Sequence, residues 1–432
     1  MKNWAGNLRF NPTKVFTPKT VEEIKEAISQ AKQNKKSLRM RGSGHSWTGL
    51  IETNDYYLHL DDLQGIISVN KEENLITAWA GTKLKLFGEE GFKHQLAMEN
   101  QGDINRQSLA GATSTGTHGT GIGLPSIANQ IAALTIINSK GEEIEIGRNH
   151  PYFNGARLSL GSLGIISNIT FALIPAYKLS IETFAEDFKI SLENFEDRLK
   201  NNRHLEMFYF PVGGWSLTKI MNESHAEPSK KTFLNNLKEA LLDNWLYTQM
   251  NKVAVLTGQY KVIDKIIRKF VTPEKKIHWS HEAFPTERSF KFMEMEYNLP
   301  VEKFREVMEK IQKAIKDNNF QTLFPIEIRF VKGDPLWLSP AFERDSVYFA
   351  IHTYISEDYK PYFDCIEKIF KEYGGRPHWG KWHSMNANEL RKVYPKFDEF
   401  LNMRNEFDPE GIFLNKHLEE IFEIKSNISG QH

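Results

Sequence analysis

An α+β fold in two domains is what this sequence predicts, and three observations carry that prediction. At 432 residues the chain is too long for one ordinary core, because domains run to about 100–200 residues. Helical and strand periods alternate through the first third without the long regular βαβ repeat of a doubly wound sheet. Near Pro175 the pattern changes to helices separated by strands of alternating polarity. That pattern indicates an antiparallel sheet with helices on one face.

The elements follow in order. Thr20 and Glu23 form a capping box, with Thr20 as N-cap and Glu23 reaching back, and Val21, Ile24, Ile28 and Ala31 recur at helical spacing behind it. Leu38 to Arg41 reads as a short strand running into glycine. Tyr56 to Leu60, Ile66 to Val69 and Leu75 to Ala80 read as strands between turn residues. Residues 102–123 are dense in Gly, Ser and Thr. Strands resume at Ile131 to Asn138, Glu142 to Ile146 and Ile165 to Ile174. Beyond Pro175, residues 188–201, 232–250, 260–270, 302–316 and 361–373 read as helices. In the fourth, Phe304, Val307, Met308, Ile311 and Ile315 make one apolar face. Strands are expected between them at Leu205 to Phe210, Phe292 to Asn298, Phe324 to Lys332 and Val347 to Thr353, and a frayed end from Ser426.

Composition narrows the function classes. Lys+Arg and Asp+Glu are each 55, so the formal charge is zero and no broad basic surface for nucleic acid is expected. Cys365 is the single cysteine, which cannot form an internal disulfide and fits a reducing compartment. The N-terminus shows no apolar signal region. No stretch approaches the roughly 18–20 apolar residues of a membrane span, so a cytoplasmic protein is expected.

Three glycine-rich segments carry candidate chemistry. In Arg41-Gly42-Ser43-Gly44-His45-Ser46, two glycines after a strand allow a sharp turn whose N–H groups suit an anion. Alone, it reads equally as a surface turn. Gln107 to Gly121 has small residues at nearly every position and no Lys, Glu or Pro. That composition favours backbone packed against a flat ligand over a flexible linker. Leu160 to Ile166 is a glycine turn into an apolar strand, either the edge of a ring site or a plain strand entry. Period 2 puts Glu327 and Arg329 on one strand face and Ile326, Ile328 and Phe330 on the other, and groups His352 with Tyr348 and Tyr354. The bland alternative for Glu327 and Arg329 is a weak pair on a solvated face. No phosphate-binding loop and no Gly-x-Gly-x-x-Gly opening a helix is present. His278, His281 and Glu282 lack an evident further ligand, and no metal site is expected.

The Asn3 to Asn7 segment, the Gly42 to Ser46 loop, Ser108 to Gly121, Gly161 to Ile166, Arg376 to Lys381 and Phe407 to Asn415 occur together and in order. Jointly they resemble the vanillyl-alcohol-oxidase superfamily, in its alditol oxidase and aldonolactone oxidase branch. Residues 180–320 match only loosely. The resemblance implies a two-domain FAD-binding fold: residues 1–176, completed by 376–432, hold FAD, and 177–375 form a cap of antiparallel sheet and helices. It implies FAD bonded covalently to His45 and held by Arg41, Gly42, Ser43, Gly44, Ser46, Ser108, Gly111, Ser114, Gly116, Thr117, His118 and Gly119. Gly164 and Ile166 approach the ring. It implies a catalytic set of Lys381, Arg329, Glu327, His352 and Ser108, with Glu327 and Arg329 as polyol ligands.

Hydride transfer to flavin N5 leaves negative charge on the substrate oxygen, and fixed cations such as Lys381 and Arg329 stabilise it. His352 is the expected proton acceptor. Alditol oxidases carry His-x-Thr where this chain reads His352-Thr353-Tyr354, which leaves a lactone or a bulkier polyol open. The expected reaction is oxidation of an alditol or aldono-1,4-lactone, with molecular oxygen as acceptor and hydrogen peroxide as product. A quinone or cytochrome acceptor, or a flavin- or sugar-binding module without turnover, are the alternatives.

Overall fold

The computed structural model describes residues 1–230, 247–285, 291–355 and 357–427. Two layers of sheet organise the chain. The strands Lys14–Phe16, Tyr56–His59 and Leu38–Arg41 form a small parallel sheet in that order. Ile66–Asn70, Leu75–Trp79, Ile165–Ala172, Ile131–Ile137 and Glu143–Gly147 form an antiparallel sheet beside it. The largest sheet is antiparallel and eight-stranded. Its order is Glu274–Trp279, Lys178–Asp187, Trp215–Ser224, His204–Phe210, Ile326–Val331, Ser346–Tyr354, Phe292–Pro300 and Arg376–Pro377.

Alternation along these strands separates the two faces of the large sheet. Its apolar face lies under the helices Phe188–Asn201, Phe304–Asp317 and Lys360–Glu372. Phe304 meets Phe330 at 5.3 Å and Phe349 at 5.9 Å between ring centroids, and Phe370 meets Tyr297 at 5.2 Å. Phe304, Val307, Met308, Ile311 and Ile315 are buried, as their spacing predicted. The opposite face carries Glu206, Lys219, Glu294, Glu296, Glu327 and Arg329. Register puts Glu206 beside both Lys219 and Arg329, and Glu294 beside His352.

The chain then returns to its start. Leu38 N donates to Ile412 O at 2.8 Å, and Arg39 Nη1 to Phe413 O at 3.0 Å. The Asn415 amide caps the helix Lys416–Phe422 and also donates to the carbonyls of Gly49 and Glu52. Residues 412–415 therefore pin the loop that follows the first parallel strands.

Several local expectations are corrected. Thr20 accepts from Glu23 N at 3.2 Å as an N-cap, but the Glu23 carboxylate takes Lys19 N instead of closing the box. The strands Lys178–Asp187, Trp215–Ser224 and Glu274–Trp279 had not been anticipated. Ser, Thr, Lys and Glu interrupt their apolar residues, so no clean period shows, and pairing with neighbours settles them. The helix Leu84–Lys93 was also missed, and the small-residue stretch contains a helix, Leu109–Ser114. The helix expected at 232–250 lies mostly outside the described residues, and the described helix Tyr247–Thr257 runs past its end. Of the end expected to fray from Ser426, Ser426 and Asn427 are bonded to Glu419 and Glu410, and 428–432 lie outside the described residues. Among the described residues no helix is long and apolar enough to cross a membrane.

Candidate active site

Between the smaller sheets and the polar face of the large one lies an open cleft, lined by the Arg41–Ser46 loop, residues 108–118 and the charged strand residues Glu294, Glu296, Glu327 and Arg329. The Arg41–Ser46 loop forms one wall. A Cβ on Gly42 would stand 2.4 Å from Ser108 Oγ and 3.1 Å from Gly111 Cα, so only glycine lets the loop lie against that helix. The N-terminal motif clamps the loop: Trp4 N donates to Gly44 O at 2.7 Å and Asn3 Nδ2 to Ser46 O at 2.9 Å. Lys83 holds Ser43 Oγ at 3.0 Å.

The half-buried His45 ring stacks on Trp4 at 5.5 Å, and its Nδ1 has no protein partner. Burial, then the charges of Lys381, Lys83, Arg106 and Arg41, push its pKa down to about 4. The imidazole is therefore neutral at neutral pH, with a lone pair available. A glycine cradle, a set of cations and an orphan imidazole on one wall fit FAD, whose pyrophosphate is anionic and whose ring is flat.

The small-residue stretch divides in two. Ser108 caps the short helix, accepting from Gly111 N at 3.2 Å, and Ser108, Gly111, Ser114, Thr117 and His118 face the cleft. Gly116 and Gly119, expected to hold the cofactor, do not line it. Their bareness is explained by packing: added Cβ atoms would meet Leu158 Cδ1 at 3.1 Å and Gln101 O at 2.3 Å. Gly164 does line the cleft with Ile166. Its φ of +151° and the Ile137 carbonyl 2.3 Å from a would-be Cβ both require glycine.

The floor is a buried charge network. Glu327 is only 5% exposed, so the reading of a solvated pair fails. Arg329 sits among three carboxylates: Nε is 2.7 Å from Glu206, and Nη2 is 2.8 Å from Asp103 and also paired with Glu327. Glu206 in turn lies 3.2 Å from Lys219. Burial alone would raise the Glu206 carboxyl, but Lys219 and Arg329 outweigh it and hold it well below the usual range. The same carboxylates outweigh burial at Arg329 and keep it charged.

Across the floor, Lys381 pairs with Glu294 and stands 4.3 Å over the Trp47 ring. Burial would raise Glu294 too, but Lys381 and then His352 bring it to about 2. Glu296 meets His118 Nε2 at 3.0 Å, while His118 Nδ1 donates to Gly119 O at 2.8 Å.

Two expected residues move. His352 is not on the cleft wall. It stands beside Glu294, 3.6 Å from that carboxylate, with Phe292 and Phe324 around its ring. Its face of the strand was read correctly, but His352 lies two residues beyond Ala350, the position in register with Glu296 and Glu327. His118 lines the cleft, but both its nitrogens are occupied and its ring stacks on Tyr348 at 3.7 Å. It therefore supports Glu296 rather than standing free for a ligand. Sequence reasoning missed Asp103, Glu206, Lys219, Glu294 and Glu296. A signal existed for two of them: Met293-Glu294-Met295-Glu296 alternates apolar and acidic residues within a strand already recognised.

Residues 12–147 match the FAD binding domain family, and residues 169–421 match D-arabinono-1,4-lactone oxidase. The chain is 32% identical to L-gulonolactone oxidase of Scyliorhinus torazame, over 98% of both chains. It is 31% identical to L-gulono-1,4-lactone dehydrogenase of Mycobacterium tuberculosis, over 97% of this chain and 98% of the other. Alditol oxidase of a Streptomyces species is 25% identical, over 98% of both. In fold it resembles a solvent-stable cholesterol oxidase with a TM-score of 0.82, at 18% identity over 98% of this chain and 97% of that one. With a cleft shaped for FAD and these matches along nearly its whole length, the chain belongs to the D-arabinono-1,4-lactone oxidase family, within the aldonolactone and alditol oxidase branch of the vanillyl-alcohol-oxidase-type flavoproteins.

Proposed function

We propose that this enzyme oxidises a CH–OH group of an aldono-1,4-lactone or an alditol, with FAD bonded to His45 and oxygen accepting the electrons to give hydrogen peroxide. The supporting observation is the buried pair Glu327 and Arg329 on the cleft floor, opposite Lys381. A carboxylate accepts from substrate hydroxyls and a guanidinium donates to substrate oxygens. An apolar alcohol offers no hydroxyl or ring oxygen to extend these hydrogen bonds, whereas a polyhydroxylated lactone or alditol does.

FAD, when bound, supplies the hydride acceptor. The chain does the rest. The Arg41–Ser46 loop and residues 108–118, Ser108 among them, would hold the cofactor. Glu327 orients the substrate, and Arg329 and Lys381 stabilise the charge that builds on the substrate oxygen. Glu294 and Glu296, held far below ordinary carboxylate values, are weak proton acceptors. The hydroxyl proton is released to water as the hydride leaves, and the two cations stabilise the oxygen that carries the charge.

In this reading the cofactor part is 1–176 with 376–432, and 177–375 are the cap. The single cysteine suits the cytoplasm. A dehydrogenase passing electrons to a quinone or cytochrome is the second reading, favoured by the Mycobacterium relative. The test is anaerobic flavin bleaching by gulono- and galactono-1,4-lactone, xylitol, sorbitol and vanillyl alcohol in parallel. Bleaching by vanillyl alcohol alone overturns the substrate claim. Turnover in air with and without an artificial dye separates the two acceptors.

A further inference from the structure

We infer that Glu206 and Lys219, neither of which lines the cleft, are positioning residues that fix the orientation and charge of Arg329 and thereby its grip on a substrate oxygen. The inference rests on the reading of Arg329 as a substrate-facing cation.

Three adjacent strands, Trp215–Ser224, His204–Phe210 and Ile326–Val331, place Lys219, Glu206 and Arg329 in one row on the same sheet face. Glu206 is 1% exposed. One of its oxygens accepts from Arg329 Nε at 2.7 Å, and the other meets Lys219 Nζ at 3.2 Å. Asp103 and Glu327 take Nη2. Nε and Nη2 lie along one edge of the guanidinium fork, so this edge is fully engaged and the plane of the group is set. Nη1, on the other edge, is the nitrogen left for the cleft that Arg329 lines.

The charge arrangement explains why Lys219 is needed. Asp103, Glu206 and Glu327 are three carboxylates around one guanidinium, and Lys219 is the second cation of the group. A buried carboxylate that loses one of its two cationic partners reverts toward its neutral form. A protonated Glu206 can no longer grip Nε with a full charge, and Arg329 is then free to swing toward Asp103 and Glu327. The groups facing Glu206 are Lys219, Arg329, Glu327 and His204. Burial pushes the His204 imidazole down to about 3, so it brings no charge near neutral pH. Removing Lys219 therefore leaves Arg329 as the single cation beside Glu206.

The experiment measures kcat/KM against pH for the lactone or alditol that bleaches the flavin best, in Lys219→Met, Lys219→Arg, Glu206→Gln and Arg329→Met. Flavin content and the unfolding midpoint are recorded alongside. Lys219→Met and Glu206→Gln should each lower kcat/KM on the order of 10- to 100-fold, the range of a lost charge-assisted bond. In Lys219→Met the acid limb of the profile should move to higher pH, because Glu206 must stay ionised to hold Arg329. Lys219→Arg should restore the wild-type limb. In an Arg329→Met background the effects of Lys219→Met and Glu206→Gln should vanish, because both act through that side chain.

Additive losses in that background, or an acid limb that does not move in a variant with full flavin content, overturn the inference. Should Lys219→Met fail to fold, the isosteric Glu206→Gln decides by the same double-variant test. If Arg329→Met itself turns over normally, the substrate reading fails first. If Arg329→Met is impaired while Lys219→Met and Glu206→Gln are not, only the positioning claim fails.

Discussion

Replacing Lys381 by Met tests how the cleft floor couples stability to rate. In the native protein Glu294 is held at about 2 against burial, which acts to raise it, mainly by Lys381 and then by His352. An unperturbed glutamate titrates near 4.3, so the depression is roughly two units, or about 3 kcal/mol of folded-state stability. That contribution is fully present above about pH 4.3 and is lost as pH falls toward 2. Lys381→Met removes the main opposing charge and leaves a buried carboxylate with His352 at 3.6 Å beside it. Breaking one side of a buried pair typically costs about 3–5 kcal/mol, which agrees with the figure from the titration.

The two states then differ in their pH response. In the variant, burial pushes the Glu294 carboxyl above its unfolded value, so the variant loses stability as pH rises. Its deficit against wild type should be small near pH 2, where Glu294 is protonated in both, already substantial at pH 4 and largest near pH 8. Lys381→Met/Glu294→Gln should recover most of the stability, because no buried charge is left alone, and none of the rate. Turnover should fall on the order of 10²–10³, the usual loss for one preorganised charge at a developing oxyanion. Urea unfolding at several pH values, with stopped-flow flavin reduction and flavin content, measures all three quantities. A stability deficit that is flat from pH 4 to 8 would refute the coupling. Normal flavin reduction in Lys381→Met would remove the lysine from the chemistry.

Other expectations are simpler. The flavin should stay with the polypeptide after acid or detergent denaturation and be released by His45→Ala; a wild-type band without ultraviolet fluorescence sinks the covalent claim, although FAD binding stands. Gly42→Ala, whose new Cβ would sit 2.4 Å from Ser108 Oγ, should reduce flavin loading, and a protein with full flavin content would show that the loop can shift. Gly164→Ala should lower the unfolding midpoint as well, since the Ile137 carbonyl cannot yield as a side chain can. Glu327→Gln should weaken whichever lactone or alditol works while leaving flavin attachment intact, and an unchanged KM and kcat would exclude it from substrate contact.

The cleft wall built by the Arg41–Ser46 loop was legible in the sequence because it is local. Gly42, Gly44 and His45 occupy one turn, and their neighbours on the chain are their neighbours in space. Glu327 and Arg329 were legible as a face for the same reason, through the period of a strand. What lay across from them was not. Asp103 comes from a loop, Glu206 and Lys219 from strands of mixed polarity, and Glu294 and Glu296 from a strand buried on both faces. Each reaches the floor only through antiparallel pairing over long sequence separations, which no local pattern encodes. His352 shows the converse error. Its side of the strand was right, but alternation gives a face and not a position along the strand, and His352 lies beyond the stretch that lines the cleft, beside Glu294.

The return of residues 412–415 to the first strands bears on how the protein is made. Leu38, Arg39 and Gly49 are held by Ile412, Phe413 and Asn415, and Trp47 N by Gly380 O. A ribosome releases the front of the chain long before those partners exist. Closing contacts across more than three hundred residues is slow, and a half-made two-layer protein exposes apolar surface meanwhile. The early glycine turn, clamped by Asn3, Trp4 and Lys83, therefore waits for Gly380 and residues 412–415 to complete its surroundings, and loading of the cofactor becomes a late event in biosynthesis. Flavin scarcity in the cell would accordingly act on finished chains and leave a pool of completed apoprotein.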